Sequence, residues 1–148
     1  MLLAIPVILD SCFSDPGTDI KLSSGGSVEI NEATTSAGLD ITKTYSKAAA
    51  TVKDSLRVNL VGPQRASNTN VAFTIDAAST AVVGTHYNLV SQNTIVIPSN
   101  KSFGFIYFNV LSQNINSGET WKMKVVLSSS DVPVSVNYGK FTRSMKAN

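Results

Sequence analysis

The apolar residues of this chain recur with a period of two, and this spacing limits the fold more than any other feature of the sequence. In 54–61, DSLRVNLV, leucine and valine alternate with polar residues, so that Arg57 and Asn59 share the opposite face. Residues 70–76, NVAFTID, repeat the alternation. Because successive side chains of a strand point to opposite faces, the pattern predicts half-buried β-strands. No segment of the sequence shows a sustained helical period.

The predicted strands are short, and turn residues such as Gly62 and Pro63 separate them. Short strands with turn signals about every 8–12 residues are typical of a sandwich of two sheets. We therefore predict an all-β fold, an immunoglobulin-like antiparallel β-sandwich of about seven strands. The predicted strand segments are 27–34, 40–48, 54–61, 70–76, 93–97, 102–111, 119–128 and 140–145.

Length, charge and cysteine content narrow the class of protein. The 148 residues provide one domain that is large enough to bury a core without disulfides. A single cysteine excludes a disulfide framework and a metal site built on several cysteines. The 12 basic and 10 acidic residues give a net charge of +2, which does not indicate a nucleic-acid partner. No Gly-rich phosphate loop is present between a strand and a helix, and we predict no cofactor.

An apolar run at the amino terminus ends abruptly just before the only cysteine of the chain. The run 2–9 is followed by Asp10, Ser11 and Cys12. It is too short to cross a bilayer as a helix, which takes about 20 residues, but it has the length of the apolar part of a signal peptide. The Leu-x-Ser-Cys sequence resembles the lipobox of bacterial lipoproteins. That resemblance implies cleavage before Cys12, acylation of its thiol and attachment to a membrane.

The lipobox divides the chain into three predicted parts. Residues 1–11 are a signal peptide without the usual basic residues at its start, so we expect the true start to lie upstream of Met1. Residues 12–26 are polar and rich in Gly and Ser, as in a flexible tether, and 27–148 form the sandwich. The expected location is the bacterial outer membrane or cell surface. The alternative is a buried first strand that carries a free, buried Cys12.

The middle of the chain carries an ordered series of motifs, of which the sharpest is TAVVGTHY at 80–87. The series resembles Calx-beta-like sandwich modules, in particular the uncharacterised, DUF4843-like domains of lipoproteins from the Bacteroidetes group. The resemblance implies a Calx-beta-like sandwich and a role in binding or supporting another molecule. The matching segments are VNLVGPQ at 58–64, NVAFTIDAASTAVVGTHYNL at 70–89, TIVIPSNKSFGFIYFNVL at 94–111 and GETWKMKVVLS at 118–128.

The chain departs from the family pattern at His86, where Calx-beta modules carry an aspartate before the tyrosine. Calcium-binding members gather several carboxylates at one end of the sandwich, and calcium takes six to eight oxygen ligands. The loops of this chain offer only Asp76, Glu119 and Asp131, which are scattered. We therefore predict no metal site, and a calcium-binding adhesion module is the less favoured alternative.

The segment 102–111, SFGFIYFNVL, is apolar on both of its predicted faces. A sandwich strand normally has one apolar and one polar face. One set, Ile106, Phe108 and Val110, fills the core. The other set, which we name the aromatic row, is either a surface that binds a glycan or a protein partner, or a face covered by the amino-terminal segment or a long loop. The aromatic row consists of Phe103, Phe105 and Tyr107.

No catalytic set is visible in the sequence. The only histidine, His86, has Ser79 and Asp76 nearby in the chain, but a lone histidine in a loop motif is more often a surface or capping residue. Trp121 alternates with apolar residues and is predicted to lie in the core. We predict a non-enzymatic, lipid-anchored module that binds a glycan or an envelope protein. The alternatives are a structural spacer or assembly subunit, and a hydrolase whose acidic or histidine cluster forms only in space.

Overall fold

Residues 26–148 are those that the computed structural model of the chain describes; Cys12 and the predicted signal peptide lie outside them. Two β-sheets pack face to face, joined by a short helix α1 after β1 and a single 3₁₀ turn before β8. The elements are β1 (Ser27–Ile30), α1 (Asn31–Thr35), β2 (Asp40–Tyr45), β3 (Val52–Val61), β4 (Thr69–Ile75), β5 (Tyr87–Leu89), β6 (Thr94–Ile97), β7 (Phe103–Val110), the 3₁₀ turn (Ser112–Asn114), β8 (Trp121–Ser130) and β9 (Lys140–Ala147).

The strand order confirms the predicted all-β sandwich. The first sheet runs β1-β3-β7-β5 and the second runs β2-β9-β8-β4-β6. Two details differ from the prediction: the described part of the chain has nine strands where about seven were expected, and β2 pairs with β9 in parallel. The extra strand β5 has only three residues, too few to show an alternating pattern.

The first strand is shorter than the predicted segment 27–34, because α1 replaces its second half. β1 pairs with β3 only as far as Ile30, which lies opposite Val58. Beyond that point the carboxylate of Glu32 accepts the N–H of Arg57 at 3.2 and 3.3 Å. A side chain of the helix therefore satisfies the next backbone donor of β3, which a longer β1 would otherwise have paired.

The core lies between the sheets and is built from the inward residues of the alternating strands. Leu56, Val58 and Leu60 of β3 are buried, as the alternation predicts, and so are Phe73 of β4 and Phe108 of β7. Each such side chain contributes about 1.5–3 kcal/mol on transfer from water. This burial fixes which face of β3 and β7 remains outside.

A buried carboxylate joins the two sheets near one end of the sandwich. Asp54 of β3 has a side chain that is 8% exposed and accepts hydrogen bonds from the hydroxyl of Tyr45 at 2.5 Å and from Nζ of Lys43 at 2.9 Å. The Nε of Arg143, on β9, lies 3.6 Å from the same carboxylate. Lys43 and Tyr45 belong to β2, so three side chains of the second sheet converge on one residue of the first.

Burial by itself would raise the pKa of Asp54. The hydrogen bonds from Tyr45 and Lys43, the N–H of Ser55 and the charge of Arg143 outweigh it, so the pKa of Asp54 falls below its ordinary value. The pKa of Tyr45 is raised, mainly by burial and also by the hydrogen bond to Asp54 and the negative charge of that carboxylate. The pair is therefore a carboxylate and a neutral phenol throughout the neutral range.

We expect Asp54→Asn to lower the free energy of unfolding by about 3 kcal/mol at pH 7, because Arg143 then stays buried without a counter-charge. Tyr45→Phe removes one hydrogen bond to the carboxylate and should cost about 1.5–2 kcal/mol. Urea unfolding followed by tryptophan fluorescence measures both changes. Asp76→Asn, at an exposed carboxylate outside the ion pairs found in 26–148, is the control and should change stability by less than about 0.5 kcal/mol.

The same carboxylate sets the direction of a pH dependence. The pKa of Asp54 is lower in the fold than in the unfolded chain, so its contribution is complete above the unfolded value of about 4 and is lost as the pH falls through the folded value. We expect the stability difference between wild type and Asp54→Asn to narrow between pH 7 and pH 3. A difference that stays constant over that range would contradict the role given to this carboxylate.

The two sheets lie close together where β6 passes the inner face of β7 at Gly104. A Cβ at Gly104 would lie 2.9 Å from the carbonyl oxygen of Val96 and 3.3 Å from the side chains of Ile95 and Ile97. The absence of a side chain therefore permits this backbone contact.

Gly104→Ala should destabilise the fold by about 1–3 kcal/mol, because a backbone carbonyl has to move to admit the methyl group. Gly38→Ala is the matched control, since a Cβ there meets no atom within 4 Å. Thermal unfolding of the two variants beside wild type measures the difference. Equal melting temperatures for both would show that β6 can move away from β7 without cost.

Candidate functional site

The aromatic row lies on the outer face of β7 and is open to solvent. Phe103 is 46% exposed and Tyr107 is 49% exposed, while Phe105 is partly buried between them. The ring centroids of Phe103 and Phe105 lie 5.6 Å apart at an interplanar angle of 76°, and those of Phe105 and Tyr107 lie 5.5 Å apart at 32°. Because the ring planes differ in direction, the three neighbouring rings form an uneven apolar ridge, not a flat platform.

A row of polar side chains on β3 runs directly beside the aromatic row. We name Ser55, Arg57 and Asn59 the polar row; the register places them opposite Tyr107, Phe105 and Phe103, respectively. The guanidinium carbon of Arg57 lies 5.6 Å from the centroid of the Phe103 ring, within the range of a cation–π contact. Apolar rings and hydrogen-bonding groups therefore occupy adjacent strands of one face.

The start of α1 holds the polar row in place. Asn31 accepts hydrogen bonds through Oδ1 from Nη2 of Arg57 and, at 3.1 Å, from Nδ2 of Asn59. The bond to Asn31 uses Nη2 of the guanidinium. The buried Nε of Arg57 has no hydrogen-bond partner among residues 26–148. The guanidinium is therefore fixed in direction, and its unpaired Nε is enclosed by the protein.

An apolar groove of about 550 Å³ borders the aromatic row where the two sheets meet. It lies between β6, at the edge of the second sheet, and the part of β7 that extends past the end of β5. The buried backbone of Gly104 lines it. The lining residues are Ser91, Thr94, Ile95, Val96, Pro98, Lys101, Phe103, Gly104, Phe105 and Tyr107.

The backbone edge of β7 is open along this groove. The N–H of Leu60 bonds to the carbonyl of Ser102 at 2.7 Å, and hydrogen-bonded pairs alternate along an antiparallel ladder. The backbone groups of Phe103 and Phe105 are therefore directed away from β3, toward the side where β5 has ended. β5 itself pairs only with 108–110 of β7.

Three cations surround the aromatic row. Lys53 lies on the outer face of β3 opposite Asn109, Arg57 lies opposite Phe105, and Lys101 lines the groove just before β7. Both lysines are exposed. The ion pairs found within 26–148 use other basic residues, namely Lys43, Lys122 and Arg143.

His86 closes a loop in the TAVVGTHY motif and is only 6% exposed. Its Nδ1 accepts the N–H of Val82 at 2.9 Å, and its ring stacks on Trp121 at a centroid distance of 4.0 Å. Burial lowers the pKa of His86, and the opposing charge of Glu119 does not reverse this. The histidine is therefore a neutral loop cap, and Trp121 lies partly buried at the rim of the core.

The two residues near His86 in the sequence make other contacts. Ser79 accepts the N–H of Lys124 through Oγ at 3.0 Å, and Asp76 accepts the N–H of Ala78 at 2.7 Å. Gly84 has a φ of +80° with nothing within 4 Å of a Cβ, so the backbone conformation alone favours glycine there. The motif thus shapes a loop instead of assembling a Ser-His-Asp set.

Within 26–148, no three histidine, cysteine or acidic side chains are grouped closely enough to hold a metal ion. No helix in this part of the chain is long and apolar enough to cross a membrane.

The alternation of 54–61 and 102–111 predicted which side chains point outward, including Arg57 and the aromatic row. It did not show that β3 and β7 are neighbours, so the pairing of the polar row with the rings was missed. Lys53 and Lys101 were missed for the same reason, and no local signal marks the groove, which depends on the distant strand β6. Cys12, the predicted lipidation site, lies outside the described residues.

No family model and no curated protein matches this chain. Solved structures with a similar fold include a "putative carbohydrate binding protein" from Bacteroides ovatus ATCC 8483, with a TM-score of 0.58 and 12% identity over 81% of this chain and 36% of that one. A Bacteroides ovatus protein of unknown function has a TM-score of 0.60 and 13% identity over 82% and 46% of the two chains. A multidomain protein including DUF1735, also from Bacteroides ovatus, has a TM-score of 0.58 and 12% identity over 76% and 42%. This chain spans less than half the length of each, and these similarities show a common fold.

Proposed function

We propose that the domain is a non-enzymatic binding module of the bacterial cell envelope, and that it captures a glycan on the aromatic row and the polar row. One observation carries the proposal: three successive outward positions of a single strand are aromatic, two of them are about half exposed, and polar side chains lie directly opposite. Exposed aromatic ridges of this kind mark interaction sites on soluble domains.

A glycan fits the chemistry of this face. The C–H faces of sugar rings are apolar and can pack on aromatic rings, while their hydroxyl groups need donors and acceptors close by. Arg57 and Asn59 are held by Asn31 with donors beside the rings. One structurally similar Bacteroides ovatus protein has a name that refers to carbohydrate binding, which agrees with the proposal.

We further propose that Cys12 carries a lipid that anchors the module at the outer membrane or cell surface. The support is the apolar run 2–9 followed by Leu-x-Ser-Cys. The stretch 12–26 that follows is polar and rich in Gly and Ser, a composition suited to a tether between the lipid and the domain.

The open edge of β7 supports a second candidate function, that of an assembly subunit. An extended segment of a protein partner could pair with the backbone groups of Phe103 and Phe105 and place its side chains in the groove beside Val96. In that case the aromatic row would be buried against the neighbouring chain. Self-association or co-purification with an envelope protein, abolished by substitutions in the row, would favour this function over glycan capture.

Lipidation is tested by growing cells with an alkyne-labelled fatty acid. We expect the label on the wild-type protein and none on Cys12→Ala, because the thiol is the acylated group. Ser11→Ala keeps the cysteine and serves as the control that should remain labelled. Equal labelling of Cys12→Ala and wild type would contradict the anchor.

Glycan capture is tested by pull-down of the full chain, purified in detergent, on a panel of insoluble polysaccharides. Phe105→Ala/Tyr107→Ala should weaken binding by about tenfold or more, since two stacked rings contribute about 1 kcal/mol each. Val136→Ala/Tyr138→Ala removes exposed apolar side chains from the loop before β9 and should bind like wild type. Binding that survives the first double substitution would show that the aromatic row is not the glycan site.

A further inference from the structure

We infer that the ligand of this face is an acidic polysaccharide whose sugars carry carboxylates, in preference to a neutral one. The inference rests on the proposed function and names the ligand class of the same face. It is carried by the placement of Lys53, Arg57 and Lys101 around the aromatic row.

The three cations follow the long axis of β7. Lys53 lies level with Asn109, Arg57 lies level with Phe105, and Lys101 is four residues before Phe105. At a strand rise of about 3.3 Å per residue, neighbouring cations are separated by roughly 13 Å along the strand direction. A chain of sugars packed on the rings would therefore pass a lysine at each end of the row and the guanidinium of Arg57 near Phe103.

Two acidic residues stand near the three cations. Glu29 of β1 lies on the same outer face, opposite Asn59, and Glu32 belongs to α1; both are on the far side of β3 from the rings. Glu32 already accepts the backbone N–H of Arg57. No ion pair of Lys53, Arg57 or Lys101 occurs in the part of the chain that the structure describes.

The chemistry of Arg57 favours an oxygen anion. Its guanidinium is fixed by Asn31 at Nη2 and packs near Phe103. Guanidinium N–H groups bond most strongly to carboxylates and related anions. A uronic acid offers both required features, because its ring has apolar C–H faces and its carboxylate lies at the ring edge, toward the polar row.

The opposite face of the sandwich provides a comparison within the same molecule. Lys124 and Lys140 lie on the outer face of the second sheet, on neighbouring strands β8 and β9. β8 and β9 have no counterpart of the aromatic row on their outer face. Their aromatic residues, Trp121 and Phe141, lie on the core side. Both outer faces therefore carry lysines, but only the outer face of the first sheet combines them with a row of aromatic side chains among the described residues.

The experiment compares polygalacturonate with its fully methyl-esterified form, because the two differ in charge but not in backbone. The full chain in detergent is assayed against both by affinity electrophoresis, with alginate, hyaluronate and the neutral polysaccharides of the panel in parallel. We expect retardation by at least one acidic polysaccharide, loss of that retardation on esterification, and weakening by added salt, since exposed charges are screened.

Matched variants locate the charge effect. Lys53→Gln/Lys101→Gln should weaken binding to the acidic polysaccharide by about fivefold to tenfold, whereas Lys124→Gln/Lys140→Gln, with the same change in net charge, should bind like wild type. Equal weakening by both pairs would overturn the inference in favour of non-specific attraction. Phe105→Ala/Tyr107→Ala should weaken binding to the acidic polysaccharide by about tenfold or more, as it does for glycan capture in general.

The outcomes separate the inference from the function on which it rests. Binding to neutral polysaccharides that depends on the aromatic row, without preference for acidic ones, would overturn the inference and leave the proposed glycan capture intact. Binding only to sulfated polymers such as dextran sulfate would overturn the assignment to carboxylates. Binding to no polysaccharide by wild type would overturn both, and the assembly function would then be the one to pursue.

Discussion

The pairing of β3 with β7 is the constraint on which the remainder of the molecule depends. Its register, from Val52 opposite Val110 to Asn59 opposite Phe103, sets the inner and outer faces of two central strands at once. A slip of one residue would exchange those faces. The register places Asp54 between the sheets, where Tyr45 can reach it, and leaves the polar row and the aromatic row side by side outside.

The outer face combines features that a structural face would not need together. Exposed phenylalanine on a sheet forfeits burial energy of about 25 cal/mol per Å² and invites association, whereas Lys53, Arg57 and Lys101 keep the same face hydrated and charged. A spacer without partners would be served by polar residues at all these positions. The coexistence of rings with uncompensated cations is better explained by a ligand that is itself apolar on its faces and anionic at its edges.

Alternation in the sequence was sufficient to predict strands, their inward sets and the sandwich class, because burial of one face imposes a period of two. The structure places Asp54 on the inward face with Leu56 and Val58, where a carboxylate is stable only because distant residues pair with it. Tyr45 and Arg143 come from β2 and β9, and strand order cannot be deduced from local pattern. The same limit applies to the groove, whose walls belong to different sheets, and to β5, which is too short to carry a pattern.

Glycan capture and strand addition share the rings but depend on different atoms. A sugar chain needs the side chains of Arg57 and Asn59 and makes no use of the backbone edge, whereas an added strand needs the N–H and C=O groups of Phe103 and Phe105 and is indifferent to the polar row. The rings of Phe103 and Tyr107 are about half exposed, whereas the backbone edge is reached through the groove between β6 and β7. The geometry therefore gives a surface ligand freer access than an inserted strand, and this difference makes the outer face of β3 and β7 the stronger candidate.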